Sequence, residues 1–379
     1  MTVSPAVVPA VAKKDRVLIV GATGFIGQFV AEASLAAGYA TYFLVRPGPM
    51  SQTKSAVVKG LQEKGAMVIY GAINEQELIE KILRDYEINI VISAVGAGNL
   101  LDQLVLVEAM KSVKTIKRFM PSEFGHDVDR ADPVEPGLGM YKQKRLVRRK
   151  VEKAGVPYTY ICCNSIASWP YYDNCHPSRS PPPLDQLHIY GDGTIKAYFV
   201  GGGDIGKFTM KAASDARTVN KSLHFQPATN YYNMNELASM WETKVGRSIP
   251  RLIITEDHLL AVAAENVEPR SIVASFTHDI FIKGCQMFKP DGPGDEEIGT
   301  LYPEEKVRSL EDCFEDFVLM MPQAPEMKKT TTADLRESNN NSTDNGVANS
   351  TSNSSGGGND TAATKNSAVA KAVPITAMC

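Results

Sequence analysis

Residues 16–27 read RVLIVGATGFIG, a short β-rich run from Arg16 to Val20 followed at once by glycines at 21, 24 and 27 and a helical pattern reaching Gly38. A dinucleotide pyrophosphate needs this arrangement. Glycines let the backbone turn sharply and approach the phosphates, and the start of a helix offers free N–H groups at the positive end of its dipole. Gly21, Ala22, Thr23, Gly24, Phe25, Ile26 and Gly27 are therefore the expected cofactor cradle. A plain tight turn is the alternative, and the position of the motif directly after a strand favours the cradle.

Working outward, Thr41 to Arg46 (TYFLVR) reads as a second strand, and strands at Met67–Tyr70, Ile90–Val95 and Arg118–Met120 alternate with helical patterns. A long helix from about Met140 to Gly155 and a strand at Pro157–Cys163 follow. Strands separated by helices of 10–20 residues predict an α/β fold with a Rossmann-like, doubly wound parallel sheet. After Asn164 the pattern degrades into proline clusters (SPPPLD, 180–185), a hairpin turn expected at Asp192-Gly193, and helices near Asn235–Val245 and Thr255–Asn266. The expected organisation is a nucleotide-binding domain over 1–163 with a flexible leader at 1–14, a smaller irregular substrate domain over 164–322, and a tail over 323–379. That tail has no aromatic residue and is mostly Asn, Ser, Thr and Gly between 338 and 364. Such a stretch cannot bury enough apolar surface to offset its chain entropy, so it is expected to be disordered.

The 379 residues carry 40 Lys plus Arg against 43 Asp plus Glu, a net charge of −3. No basic footprint for nucleic acid or an anionic membrane results. Six cysteines without a CxxC pair suggest neither a zinc site nor a disulfide framework, and no metal is expected. The N-terminus lacks a signal-peptide pattern and no apolar run approaches ~20 residues, so a cytoplasmic protein is expected. Oligomeric state is left open by composition.

Several positions carry chemistry. The second strand ends in Arg46, with Lys54 eight residues on, where an NAD-binding chain would place an acid. A cation there pairs with a 2′-phosphate, which favours NADPH; a solvated surface arginine is the plainer reading. Val95 and Gly96 end the fourth strand, and Ser122, Glu123 and Phe124 follow the fifth, at the sheet edge where ligands bind in open α/β folds. Glu123 also reads as a buried structural carboxylate. His126 is a loop imidazole at that edge, able to protonate a leaving group or to serve structure alone. On the long helix Tyr141 and Lys144 are three apart and share a face, with Arg148 a turn further and within possible reach of the cofactor. Tyr302 and Lys306 match a Tyr-x-x-x-Lys string far from the sheet and are set aside.

The segments RFMPSEFGHDVDRADPVEPGLGMYKQKRLVRRKVE (118–152), ICCNSIASWPYYDN (161–174) and FTHDIFIKG (276–284) resemble the plant phenylpropanoid reductases. That atypical short-chain group contains the isoflavone, pinoresinol-lariciresinol and phenylcoumaran benzylic ether reductases. The resemblance covers about residues 14–320 and is strongest to members that reduce flavan-3,4-diols, with His126 the sharpest discriminator. Gly139, Gln143 and the AVGAGN loop depart from the group's pattern without removing a catalytic group. The resemblance implies that a small flavonoid such as leucocyanidin is reduced at C4 by NADPH to a 2,3-trans flavan-3-ol. Lys144 would be the base that takes the 7-hydroxyl proton, and it would also touch the cofactor. His126 would be the acid for the departing 4-hydroxyl. His126, Met140, Tyr141, Ser168, Trp169 and Pro170 would line the substrate pocket, although Trp169 serves equally as core. Another benzylic ether, isoflavone or lignan reductase, or a non-catalytic NADP sensor of the same fold, are the alternatives.

Overall fold

The computed structural model describes residues 14–172 and 180–321. Of the expected leader only Lys14 is described, and the expected tail at 323–379 lies outside the described residues. The alternation is built as β1 (Arg16–Val20), α1 (Phe25–Ala36), β2 (Ala40–Val45), α2 (Gln52–Glu63), β3 (Met67–Tyr70) and α3 (Gln76–Asp85). It continues as β4 (Ile90–Ser93), α4 (Gln103–Lys111), β5 (Arg118–Met120), α5 (Gly137–Ala154) and β6 (Thr159–Cys162). Strands β1 to β5 form one parallel sheet in the order β3-β2-β1-β4-β5. The order reverses at β1, which pairs with β2 on one side and β4 on the other. Ligands of open α/β sheets bind at such a reversal, beyond the carboxyl ends of the strands.

Both faces of this sheet are covered, and the sequence of β1 shows how. Val17 and Ile19 point into one apolar cluster with α1, while Leu18 and Val20 point into a second with α3 and α4. The strand reads as an unbroken apolar run because alternate residues serve two cores.

Beyond residue 163 lie β7 (Ser165–Ile166), β8 (Leu187–Tyr190), β9 (Lys196–Val200), α6 (Gly202–Ser214), β10 (Lys221–His224), β11 (Tyr231–Asn233) and α7 (Met234–Val245). Then come β12 (Arg251–Ile254), α8 (Glu256–Ala264), α9 (Arg270–Phe281), β13 (Asp295–Glu297), α10 (Ile298–Leu301) and α11 (Leu310–Met320). The chain recrosses the expected division at 163. Ile205, Phe208, Leu223, Phe225, Ile298 and Tyr302 join the same core as Val17 and Ile19. Buried Arg118 on β5 reinforces the crossing, because its Nη1 donates to Thr159 Oγ1 (2.6 Å), Thr218 Oγ1 (2.6 Å) and the Ala212 carbonyl (3.0 Å).

The hairpin expected at Asp192-Gly193 does not form. A turn is there, with Gly191 and Gly193 at φ 58° and 73° and Thr194 N–H donating to Asp192 Oδ1 at 2.9 Å. The flanking strands then diverge: β8 pairs with β12, whereas β9 pairs with β7 and β11. Helices α6 and α9 were not legible in the pattern. In α9 every residue after Arg270 is buried, which removes the polar face that would mark a helical period.

Candidate active site

The first wall of the site is the β1–α1 turn. Gly21 adopts φ +87°, and a Cβ on it would lie 2.4 Å from the Ala94 carbonyl oxygen of the loop after β4. A Cβ on Gly27 would lie 2.1 Å from the Gly21 carbonyl oxygen, so α1 can only sit this close to its own turn if that position is bare. Gly24 stands at the helix N-cap and no side chain caps the helix, which leaves its first N–H groups to an anion. These observations fit a bound pyrophosphate.

The turn, the β4 loop, the β5 loop and α5 meet around one cavity lined by Phe25, Ile26, Val95, Gly96, Ser122, Phe124, Met140 and Lys144, all expected there, together with Ala94, Ala97 and Leu100. Sequence reading missed Gln103, whose buried side chain accepts the Ser122 N–H (2.7 Å) and donates to the Leu100 carbonyl (3.0 Å). With Ser122 Oγ donating to the Val95 carbonyl (2.8 Å), it ties the two loops together. Arg46 lies exposed just past β2, and Lys54 in the first turn of α2 is also exposed, its N–H capped by Ser51 (3.3 Å). Both sit on the β2 side of the turn, where a 2′-phosphate belongs.

Helix α5 supplies four of the candidate residues. Met140, Tyr141, Lys144 and Arg148 are all on its buried face, as their spacing requires. Lys144 Nζ donates to the Glu123 carbonyl at 2.8 Å although the residue is only 2% exposed. His126 Nδ1 and the Tyr141 hydroxyl share a hydrogen bond of 2.5 Å. Burial, and then the Lys144 charge, push the His126 imidazole down to about 3, so it is neutral at pH 7. Phe276 of α9, a residue not found from sequence, stacks on Tyr141 at 4.8 Å and meets His126 edge-on at 6.5 Å.

Two residues expected near the cofactor spend their charges on each other, and Glu123 takes the structural role read for it from the sequence. Arg148 is turned away from the cavity, its guanidinium held by Glu123 (3.1 and 3.0 Å), Asp127 (2.7 Å) and Asp129 (3.1 Å). Burial alone would lower its pKa, but these carboxylates outweigh it and hold the cation well above its ordinary value. Glu123 spends both carboxylate oxygens on Arg148 and meets the site only through its backbone. Ser168, Trp169 and Pro170 follow β7 and do not line the cavity described above; Trp169 is buried and the Pro170 carbonyl accepts from the Tyr190 hydroxyl. Cys162 and Cys163 are buried, and burial pushes the Cys163 thiol up to about 12, so neither is a nucleophile. Tyr302 lies in the apolar core, apart from this site.

Comparison with known proteins agrees with the geometry. The chain is 66% identical over 322 residues to a leucoanthocyanidin reductase of Desmodium uncinatum, covering 85% of this chain and 84% of that one. It is 38% identical over 307 residues to a phenylcoumaran benzylic ether reductase of Ginkgo biloba, covering 80% of this chain and 99% of that one. The solved binary complex of leucoanthocyanidin reductase with NADPH from Vitis vinifera superposes with a TM-score of 0.78 at 63% identity, over 80% of this chain and 99% of that one. The NmrA-like family model matches residues 13–314, most of the chain, and with the glycine turn at the sheet reversal this chain belongs to the NmrA-like family.

Proposed function

We propose that this protein is an NADPH-dependent oxidoreductase that reduces a flavan-3,4-diol, such as leucocyanidin, at C4 to the corresponding 2,3-trans flavan-3-ol. The observation that carries the reading is the convergence of Lys144 with Gly96, Ser122, Phe124 and Met140 in one cavity against the β1–α1 turn. Gly21 to Gly27, Arg46, Lys54, Val95 and Gly96 would hold NADPH, which supplies a hydride when bound.

The chain's own groups supply the protons. A benzylic alcohol does not accept hydride directly, so its hydroxyl must leave first. Lys144, having released its own proton to solvent, takes the proton of the 7-hydroxyl, para to C4, as the free amine, and the phenolate pushes the 4-hydroxyl out, leaving a quinone methide electrophilic at C4. Tyr141 occupies His126 Nδ1, so proton delivery to the departing oxygen falls to Nε2. The imidazole is neutral at pH 7; a phenolate and a departing oxygen bring negative charge beside it, so it takes up a proton from solvent and passes it to the departing oxygen, which leaves as water. Lys144 returns its proton to the 7-oxygen once C4 is reduced, so the one proton consumed is that of His126.

Incubation with NADPH and a panel of leucocyanidin, an isoflavone and a lignan is expected to consume leucocyanidin alone at an appreciable rate. Turnover of the lignan in place of leucocyanidin would defeat the assignment. For the cofactor, Arg46→Asp is expected to weaken NADPH by roughly 10- to 100-fold, the worth of one charge-assisted hydrogen bond pair, with NADH little changed. Fluorescence titration measures both, and equal affinities in the native protein would refute a 2′-phosphate contact. The described residues contain no helix long and apolar enough to cross a membrane. Four free cysteines among them fit a reducing cytoplasm as the place of action.

A further inference from the structure

Arg148 does not line the cavity. Its side chain is 1% exposed, as is that of Glu123, and Asp127 is 5% exposed. The guanidinium grips Glu123 with a two-pronged fork and Asp127 with Nη1, its face lies 4.5 Å from the Tyr160 ring, and Nη2 is 3.6 Å from Cys162 Sγ. Glu123 and Asp127 bracket the stretch of loop that serves the reaction. The carbonyl of Glu123 receives Lys144 Nζ, and His126 immediately precedes Asp127.

That loop is not in a relaxed shape. Phe124 has φ 27°, a left-handed conformation that a bulky residue adopts only when its surroundings impose it. Gln103 fixes the loop at Ser122 on one side, and Arg148 fixes it at 123 and 127 across the strained residue. Donor atoms of Asp127, Cys162 and His224 also come within 4.8 Å of one another, as a metal ion would ask. A cation there would face the guanidinium already bonded to Asp127 Oδ1, while Arg130 takes Oδ2 at 3.3 Å. The loop is held by arginines.

We propose that Arg148 is a positioning residue for the reaction: by clamping Glu123 and Asp127 it sets the Glu123 carbonyl that aims Lys144 and the segment that carries His126. Lys144 and Arg148 stand one turn apart on α5, so a single rigid helix carries both the base and the clamp that orients its partner loop. The inference rests on the proton-transfer roles proposed above for Lys144 and His126.

A double-mutant cycle tests it. Arg148→Lys keeps the charge but cannot form the planar fork. It is expected to lower kcat by roughly 10- to 100-fold, as misplacement of a catalytic group by about an ångström does, with both KM values within about 3-fold. NADPH affinity is expected to be unchanged. In a Lys144→Ala background the same substitution is expected to change the residual single-turnover rate by less than about 2-fold, because residues acting as one unit are non-additive. Asp127→Asn, isosteric and unable to pair as an ion, carries the same cycle if Arg148→Lys does not fold. Losses that multiply across the cycle would assign Arg148 to general stability and overturn the proposal, as would native kcat in a folded variant or a loss of NADPH affinity matching the loss of kcat. Native turnover in Lys144→Ala alone would instead overturn the base assignment, and the clamp with it.

Discussion

Lys144→Ala is expected to reduce kcat by roughly 10³-fold, within the span that a positioned acid or base contributes. NADPH affinity is expected to stay within roughly 10-fold, the worth of one hydrogen bond. The expectation follows from where Lys144 stands: it is 2% exposed, its Nζ donates to one carbonyl and lies 6.0 Å from the Tyr141 ring, and it lines the cavity. A lysine kept in so dry a place, its Nζ held by a backbone carbonyl, is poorly explained by stability. Product formation from leucocyanidin, followed beside NADPH titration and circular dichroism, separates the outcomes. Native turnover in the folded variant would remove Lys144 from the mechanism. It would also reopen the non-catalytic reading, which needs the cofactor cradle but no base.

Gly27→Ala is expected to act at the opposite wall and to be nearly as damaging to activity. The added Cβ would lie 2.1 Å from the Gly21 carbonyl oxygen and 2.8 Å from the Ala22 Cα, both backbone atoms that cannot rotate aside. Helix α1 must retreat from its turn, and overpacking of this kind costs about 1–3 kcal/mol. The retreat also carries the helix N-terminus away from the pyrophosphate, so NADPH affinity is expected to fall by roughly 100-fold together with a lower Tm. Gly60→Ala in the last turn of α2 is the control, since nothing lies within 4 Å of its Cβ. That variant is expected to be neutral or stabilised by about 0.4–1 kcal/mol. Native NADPH affinity in Gly27→Ala would show that the close helix–turn contact is dispensable.

The first half of the fold was legible because its determinants are local. A parallel strand buried on both faces, such as 16–20 or 118–120, is a short run with no exposed position, and these strands and the edge strand at 67–70 have the bounds their residues indicate. The shared face of Tyr141, Lys144 and Arg148 was legible for the same reason, through helical spacing. What Arg148 does on that face was not. Its partners at 123, 127 and 129 belong to a loop some twenty residues earlier, and no periodicity records which cation meets which acid. The same holds for Phe276 and Gln103: each enters the site from an element whose placement depends on tertiary packing. The turn at 191–194 was read correctly as a turn, but whether two strands pair afterwards depends on the other strands on offer, and β12 and β11 won.

The way Arg118 is satisfied bears on the order in which this polypeptide can fold as it is made. The buried guanidinium draws its acceptors from Thr159, from the Ala212 and Asp215 carbonyls and from Thr218, and one apolar layer of the sheet is finished by residues between Val200 and Tyr302. A nascent chain that has emerged only through β6 therefore exposes a half-covered sheet, with Arg118 bonded to Thr159 and otherwise left to water. Folding of the nucleotide-binding half must await synthesis of most of the remainder, which makes the catalytic unit a single cooperative product of translation even though its motifs are concentrated at the front.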